Sequence, residues 1–212
     1  HSPHPDQQKQ SIFVAQAPRM TDAAAPAGDA AAARPQSLSR DCYLLFADRQ
    51  GTARALHREL TGRGARVVAV TAGEHFHREQ DDRFTVDPTS KEDLVALFAA
   101  LEADHLVPTT VVHAWSLDHP VVASLTDDPL SPDALVAAQT TGVFHAFALV
   151  QVLAAASFAE PARVVFLTRH SVQVTETDCP TGLTAAPLRG LVRVTRNERL
   201  AQRWIQIDLA AT

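Results

Sequence analysis

The chain has 212 residues, the size of one α/β domain with a tail, and 46% of them are hydrophobic, enough for a sizeable core. A formal net charge of −5 gives no sign of a nucleic acid or an anionic membrane surface as partner. No apolar run reaches the roughly 20 residues that span a bilayer, and no signal peptide is visible. The two cysteines, Cys42 and Cys179, are too few for a disulfide scaffold. We therefore expect a cytoplasmic protein.

The start of the chain differs from the rest. The only methionine is Met20 and the first residue is His1, which suggests a piece of a longer chain. Residues 11–16 (SIFVAQ) could form a short strand on a sheet edge. Residues 21–40 are rich in Ala and Pro and predict a linker, because prolines break the alternative, an alanine-rich dimerisation helix. We divide the chain into an N-terminal strand and linker at 1–40 and one domain at 41–212.

From residue 41 onward, short apolar runs alternate with helical patterns. The runs predict strands at 43–47, 66–70, 83–86, 110–114, 163–168 and 204–209. Helix starts are predicted at Thr52, at Ser90 and at Ser131-Pro132-Asp133, where a hydroxyl can cap the first turn, and a further helix is predicted over about 187–199. This alternation predicts an α/β fold with a doubly wound parallel sheet of about six strands.

Each predicted helix has one apolar face that a sheet can bury. The residues on these faces are Ala53, Leu56 and Leu60; Leu94, Leu97, Phe98 and Leu101; Val143, Phe147 and Val150; and Leu188, Leu191, Val192 and Thr195. Gly62 and Gly64 are expected to end the first helix.

The turn after the strand at 43–47 is the first candidate site. Dinucleotide-binding folds place glycines here, so that backbone N–H groups can approach a pyrophosphate. This turn, Asp48-Arg49-Gln50-Gly51-Thr52, has one glycine, and Asp48 would repel a phosphate that Arg49 only partly attracts. We expect a retained turn without a ligand; nucleotide binding is the alternative.

Reductase catalysis of the short-chain type needs a tyrosine acidified by a lysine four residues later. The single tyrosine, Tyr43, lies on the first predicted strand of the domain, and the only lysines are Lys9 and Lys91. No such pair exists in the sequence. His170 and Ser171 follow the strand at 163–168, about where a reductase keeps its serine, but they have no evident proton acceptor.

Two groups of histidines are further candidates. His113, with Trp115 and Ser116, ends a central strand where doubly wound folds bind ligands, and it is either a general base or a packed residue. His75 and His77 share a polar loop with two acids, Glu74 and Glu79, which is weak evidence for a metal site. We therefore predict no catalytic, cofactor-binding or metal-binding residue.

Seven segments in order are similar to a known family: LLFAD, VVAV with a following GEHF turn, FTVDPTSKEDLVALFAAL, VVHAWSLD, ARVVFLTR, APLRGLVRVTRNE and IQIDL. Over residues 41–212 the chain resembles the N-terminal, structural subdomain of a modular polyketide synthase ketoreductase, or a related pseudo-ketoreductase. Two departures are the loose match of residues 11–16 to the family's Trp-containing strand and Arg189, where aromatic residues are common.

The resemblance implies a truncated Rossmann-like fold of the short-chain dehydrogenase type, and a non-catalytic scaffold without its own cofactor. A second, catalytic half would bind NADPH and reduce β-ketoacyl chains on a carrier protein. The implied partners are that half and neighbouring synthase domains, such as a dehydratase, an enoylreductase or an acyl carrier protein. The alternatives are a divergent NAD(P)-dependent reductase with its own cofactor site, using a donor such as His113, and a small-molecule or partner-binding module that uses the crevice.

Overall fold

The computed structural model describes residues 13–15, 38–120, 131–155, 163–173, 181–198 and 202–209. Eight strands form one sheet: β1 Phe13–Ala15, β2 Cys42–Phe46, β3 Arg66–Ala72, β4 His77–Gln80, β5 Arg83–Val86, β6 Thr110–His113, β7 Arg163–Arg169 and β8 Arg203–Leu209. The helices are α1 Thr52–Gly62, α2 Lys91–Ala103, α3 Pro132–Gln139, α4 His145–Ala155 and α5 Ala186–Glu198. Short 3₁₀ turns cover Trp115–Asp118 and Leu183–Ala185, and a π-turn covers Thr140–Phe144.

The strand order is β1-β8-β7-β6-β2-β3-β5-β4, and every pairing is parallel except that of β4 with β5. The α/β fold class and all six predicted strands are confirmed. The edge strand expected within 11–16 is confirmed as β1, which pairs with Ile207–Leu209 of β8. Residues 16–37 lie outside the described residues, so the linker stays a prediction.

The loop predicted around His77 is wrong from that residue onward, because His77–Gln80 forms strand β4. All four residues of β4 are exposed, so the strand has no buried side chains from which an apolar alternation could arise. It pairs with β5 at the sheet edge, with a register shift between Arg78 and Gln80. Polar edge strands of this kind resist pairing with other chains.

The two faces of the sheet are covered differently. Helices α2, α4 and α5 bury one face through a large cluster that includes Phe46, Leu97, Leu149 and Trp204. Among the described residues, α1 is the helix that covers the other face, where its Ala53 packs in a smaller cluster. The carboxyl ends of β2, β6 and β7 lie side by side, so the turns that follow them meet at one edge of the sheet.

Most of the predicted helix faces and starts are confirmed. Leu94, Leu97, Phe98 and Leu101 are buried in α2, and Leu188, Val192 and Thr195 are buried in α5. The Ser90 hydroxyl accepts the N–H of Asp93 at 3.0 Å, and that of Ser131 accepts the N–H of Ala134 at 3.1 Å. Both are N-caps that fix where a helix begins.

The long helical segment from α3 to α4 is interrupted at Gly142, whose φ and ψ of −95° and −109° are not helical. The predicted burial of Phe147 is wrong, since this side chain is 52% exposed, while Ala146, Leu149 and Leu153 face the core. By length and composition alone, residues Pro132–Ala155 would suffice to cross a membrane. Five residues of α4 are buried in this domain, which is typical of a core helix.

Candidate functional site

The turn after β2, residues 48–51 (the β2 turn), is closed by its own carboxylate. The side chain of Asp48 is buried and accepts the backbone N–H groups of Thr52 at 3.1 Å and Ala53 at 2.6 Å. These are N–H groups at the start of α1, which a phosphate would need in a dinucleotide-binding fold. The negative charge that complements the helix dipole is therefore already supplied by the protein.

The predicted cap at Thr52 is wrong. The N-cap position is Gly51, whose φ of 97° lies in the left-handed region that favours glycine, and Thr52 is the first residue of the helix. A glycine has no side chain with which to cap, so the carboxylate of Asp48 takes this role from three residues earlier. The hydroxyl of Thr52 instead accepts a hydrogen bond from Arg169 at 3.5 Å.

A second carboxylate holds the β2 turn from across the crevice. Both oxygens of Asp118 accept the N–H of Arg49, at 3.0 and 2.9 Å. Burial raises the pKa of Asp118, and the hydrogen bond from Arg49 acts in the opposite direction. The amide of Gln50 donates to the carbonyl of Leu117 at 2.6 Å, so the whole turn is fastened to the segment that follows β6.

The crevice beside the β2 turn has a volume of about 470 Å³. Its lining includes Asp48, Asp118, Arg49, Trp115 and His119. A diphosphate placed here would face two carboxylates and one arginine, and it would find the nearest backbone N–H groups already bonded. The crevice thus has the position of a nucleotide site in a doubly wound fold without its electrostatics.

His113 lies beneath this crevice and is fully buried. Its Nε2 lies 3.0 Å from Nδ1 of His145, and Phe46, Trp115 and Phe166 surround the ring. Burial, together with the neighbouring histidines, lowers the pKa of His113 well below its usual value. Solvent does not reach this imidazole, and its neighbours are other buried rings, so its geometry is that of a packed residue.

Two other histidines share this environment. Burial lowers the pKa of His145 to about 3 and that of His119 to about 4. His119 lies against Gly142, where a Cβ atom would come within 2.7 Å of its ring, and its Nε2 lies 3.2 Å from the hydroxyl of Thr141. The imidazole of His119 therefore fills the space that the π-turn opens.

The residues after β7 form a second closed turn, residues 170–173 (the β7 turn). The hydroxyl of Ser171 donates to Asp208 at 2.7 Å, and the N–H groups of Ser171 and Val172 donate to the same carboxylate at 3.1 Å. His170 has a positive φ of 49°, and its Nδ1 lies 3.2 Å from the hydroxyl of Thr181. Ser171 is thus engaged in holding the backbone of the turn.

The remaining candidates are scattered. The rings of His75 and His77 lie 6.4 Å apart on an exposed edge, and no group of three or more His, Cys, Asp or Glu suited to a metal occurs within the described ranges. Tyr43 lies on β2, whereas Lys91 starts α2 and donates to Gln151. Lys9 and Cys179 fall outside the described residues.

Sequence comparison supplies the family. The model of the family described as beta-ketoacyl synthase-like, N-terminal, matches residues 41–176, which is more than half of the chain. The chain belongs to this family. The match begins at the predicted domain boundary, and the resemblance to ketoreductase structural subdomains drawn from the seven segments is confirmed. No curated protein sequence matches the chain.

Solved structures share the fold of this family member. One is a multidomain structure with adenylation, ketoreductase and pseudo-Asub domains from a keto acid-selecting NRPS module. It has 20% sequence identity and a TM-score of 0.68, and the match covers 80% of this chain and 13% of the NRPS chain. The N-terminal ketoreductase of the macrolactin assembly line has 20% identity, a TM-score of 0.63 and coverages of 80% and 32%. The oxidoreductase yciK from E. coli has 16% identity, a TM-score of 0.67 and coverages of 84% and 78%. The chain therefore spans less than a third of each of the two assembly-line chains.

Three residues that hold the segments at the carboxyl ends of β2, β6 and β7 were not identified from the sequence. They are Asp118, His145 and Asp208. Asp118 closes the segment VVHAWSLD, so its distance from a strand end was a usable signal. His145 and Asp208 contact residues 32 and 37 positions away, and no local pattern identifies such partners. Their roles depend on which strands are neighbours in the sheet.

Proposed function

We propose that this chain is a non-catalytic scaffold subdomain of a polyketide synthase ketoreductase, one that stabilises a separate NADPH-binding half reducing β-ketoacyl chains on a carrier protein. The observation that carries the proposal is the β2 turn, in which Asp48 occupies the N–H groups at the start of α1. A cofactor phosphate would have to displace this carboxylate and would lie beside Asp118 as well. The absence of a Tyr-x-x-x-Lys pair from the sequence supports the same proposal.

An exposed apolar surface supports the scaffold role. Val136, Phe144 and Phe147 (the apolar patch) are 59%, 59% and 52% exposed. Val136 lies in α3, before the interruption at Gly142. Phe144 and Phe147 follow the interruption and are three residues apart, so they are neighbours on the helix surface. Phenylalanines exposed in this way mark surfaces that another protein covers. We assign the patch to the catalytic half, since interfaces between domains of one protein typically bury about 600–1,500 Å².

Titration with NADPH tests the absence of a cofactor site. A ligand present at 100 times its Kd stabilises a protein by about 2.7 kcal/mol, which a thermal melt detects readily. We expect no shift of the melting temperature. A clear upward shift that Asp48→Ala enhances would overturn the scaffold proposal and favour a divergent reductase with its own site.

Co-expression with the catalytic half tests the scaffold role. The readout is NADPH-dependent reduction of a β-ketoacyl substrate by the purified pair. We expect Phe144→Glu/Phe147→Glu to lose most of this activity and the co-purification. The matched control is Val95→Glu/Val107→Glu, which adds the same charge at two other exposed valines, 52% and 48% accessible. If both variants behave like the unmodified chain, the patch does not hold the catalytic half.

A further inference from the structure

Helix α5 carries three arginines on one exposed side. Arg189, Arg193 and Arg196 (the arginine stripe) are spaced by four and three residues, so they follow one another along the helix surface over about 10 Å. All three are exposed. The side of the helix that carries Leu188, Val192 and Thr195 is buried against the sheet.

Within the described part of the chain, no acidic side chain forms an ion pair with the arginine stripe. The ion pairs found there join Arg63 to Glu59 and Arg78 to Asp81 and Asp104, and none involves the stripe. Like charges three or four residues apart destabilise a helix by a few tenths of a kcal/mol per pair. Arg189 is also the fourth residue of a helix whose first turn lacks an acid, an end where the helix dipole disfavours cations.

The surface around the stripe is open enough for a partner to approach. Gly190 lies beside Arg189, and a Cβ atom at this position would have nothing within 4 Å. Val194, one residue after Arg193, is 51% exposed and lies on a different side of the helix from the stripe. The stripe is therefore an open row of guanidinium groups, and guanidinium groups bind carboxylates in bidentate pairs.

The charge of the whole chain narrows the choice of partner. The net charge is −5, so a polyanion that covers a wide area, such as nucleic acid or an anionic membrane, would be repelled by the rest of the surface. A single helix with acids at matching spacing would contact the stripe alone. We propose that the arginine stripe of α5 docks an acidic helix of another protein domain, one with carboxylates at spacings of four and three residues.

This inference rests on α5 alone and does not depend on the proposed function. Its interface is electrostatic and weakens with salt, whereas contact at the apolar patch is driven by burial and is far less sensitive to salt. The two proposals can therefore fail separately.

An NMR titration of the ¹⁵N-labelled chain tests the docking. The probe is a synthetic helical peptide with glutamates at i, i+4 and i+7, and its control is a peptide of the same composition with the glutamates on different sides. We expect the first peptide to shift the amide signals of α5 at about 50 mM NaCl and to bind at least about tenfold more weakly at about 300 mM. The control peptide is expected to bind at least about tenfold more weakly at low salt.

A pair of variants separates the stripe from general charge. Arg189→Gln/Arg193→Gln/Arg196→Gln should weaken binding at least about tenfold. Arg54→Gln/Arg58→Gln/Arg163→Gln removes the same charge from three exposed arginines elsewhere and should leave binding unchanged. Thermal melts report whether each variant is folded, and we expect no loss of stability in the stripe variant because repulsion is removed.

Three results would overturn the proposal. The first is equal binding of the two peptides, the second is equal loss in the two variants, and the third is no α5 shift at millimolar peptide. Phosphatidylserine vesicles and duplex DNA serve as further probes. If either binds through α5 more tightly than the acidic helix does, the partner is not a protein helix.

Discussion

The β2 turn and the β7 turn lie at the same edge of the sheet, and a buried aspartate closes each of them. In the β2 turn the carboxylate of Asp48 belongs to the turn itself and reaches N–H groups four and five residues away. In the β7 turn the carboxylate of Asp208 comes from β8 and reaches N–H groups 37 and 36 residues away. The first contact caps one helix, whereas the second ties two strands and a turn together. Removal of the Asp208 carboxylate should therefore lower the free energy of unfolding more than removal of the Asp48 carboxylate.

The largest expected effect is that of Asp208→Ala. The change leaves the hydroxyl of Thr168 and the N–H groups of Ser171 and Val172 without their acceptor. Buried donors without partners cost about 1–3 kcal/mol each, and partial access of water limits the total to about 3 kcal/mol. Urea denaturation measures this loss in the free energy of unfolding. Asp208→Asn keeps one oxygen and should lose less; a loss below about 1 kcal/mol for the alanine variant would contradict the comparison.

Gly182→Ala should also act on the β7 turn. A Cβ atom at residue 182 would overlap the backbone carbonyl oxygen of Arg169, which cannot move without disturbing β7. We expect a loss of about 2 kcal/mol in the free energy of unfolding, typical of overpacking. The control is Gly62→Ala, at a position with open space around it, which should be neutral or stabilising. Equal effects of the two alanines would show that the β7 turn tolerates displacement.

Two histidines near the strand between the two turns, His145 and His119, predict a dependence of stability on pH. The folded pKa values of His145 and His119, about 3 and about 4, lie below the ordinary value of 6.5, so the unfolded chain binds more protons. Stability is then complete above pH 6.5 and falls as the pH drops towards 4, by up to about 1.4 kcal/mol per pH unit for each histidine. Free energies of unfolding between pH 7 and about 4.5 measure this slope.

The variants for this slope are His145→Gln, which should reduce it by the share of His145, up to about 1.4 kcal/mol per pH unit, and His57→Gln, which should leave it unchanged. His57 lies on the partly exposed side of α1, away from the buried cluster. A slope that His145→Gln leaves unchanged would contradict the prediction and assign the acid sensitivity to other groups.

The smallest effect concerns the β2 turn. Asp48→Ala removes the acceptor for two N–H groups of α1 and should cost about 1 kcal/mol, typical of a lost helix cap. Thr52→Ala should cost less, because the hydroxyl of Thr52 does not cap the helix. Thermal melts of the two variants check the order. The reverse order would mean that the hydroxyl, and not the carboxylate, fixes the start of α1.

The same two turns show what the sequence could predict. The strands before them are continuous apolar runs, so their position followed from periodicity, and the helices followed from apolar faces and from caps such as Ser90 and Ser131. The sequence predicts that Asp48 repels a phosphate. It does not predict the contact of Asp48 with α1, because the nearby Thr52 is a more usual capping residue. The partners of Asp208 and His113 could not be predicted, since they depend on strand order. Strand β4 was missed because every residue in it is exposed.

The buried positions of the long helical segment keep one period through the π-turn at Thr140–Phe144. Ala138, Gly142, Ala146 and Leu149 are buried at spacings of three and four residues, so the inward side of α4 continues that of α3. Phe147 follows Ala138 by about two and a half turns, which places it on the opposite side. The interruption at Gly142 therefore bends the backbone and leaves the rotational phase of α4 intact. A single-residue deletion there would rotate α4 by about 100° and carry Leu149 away from the core, with little change in composition.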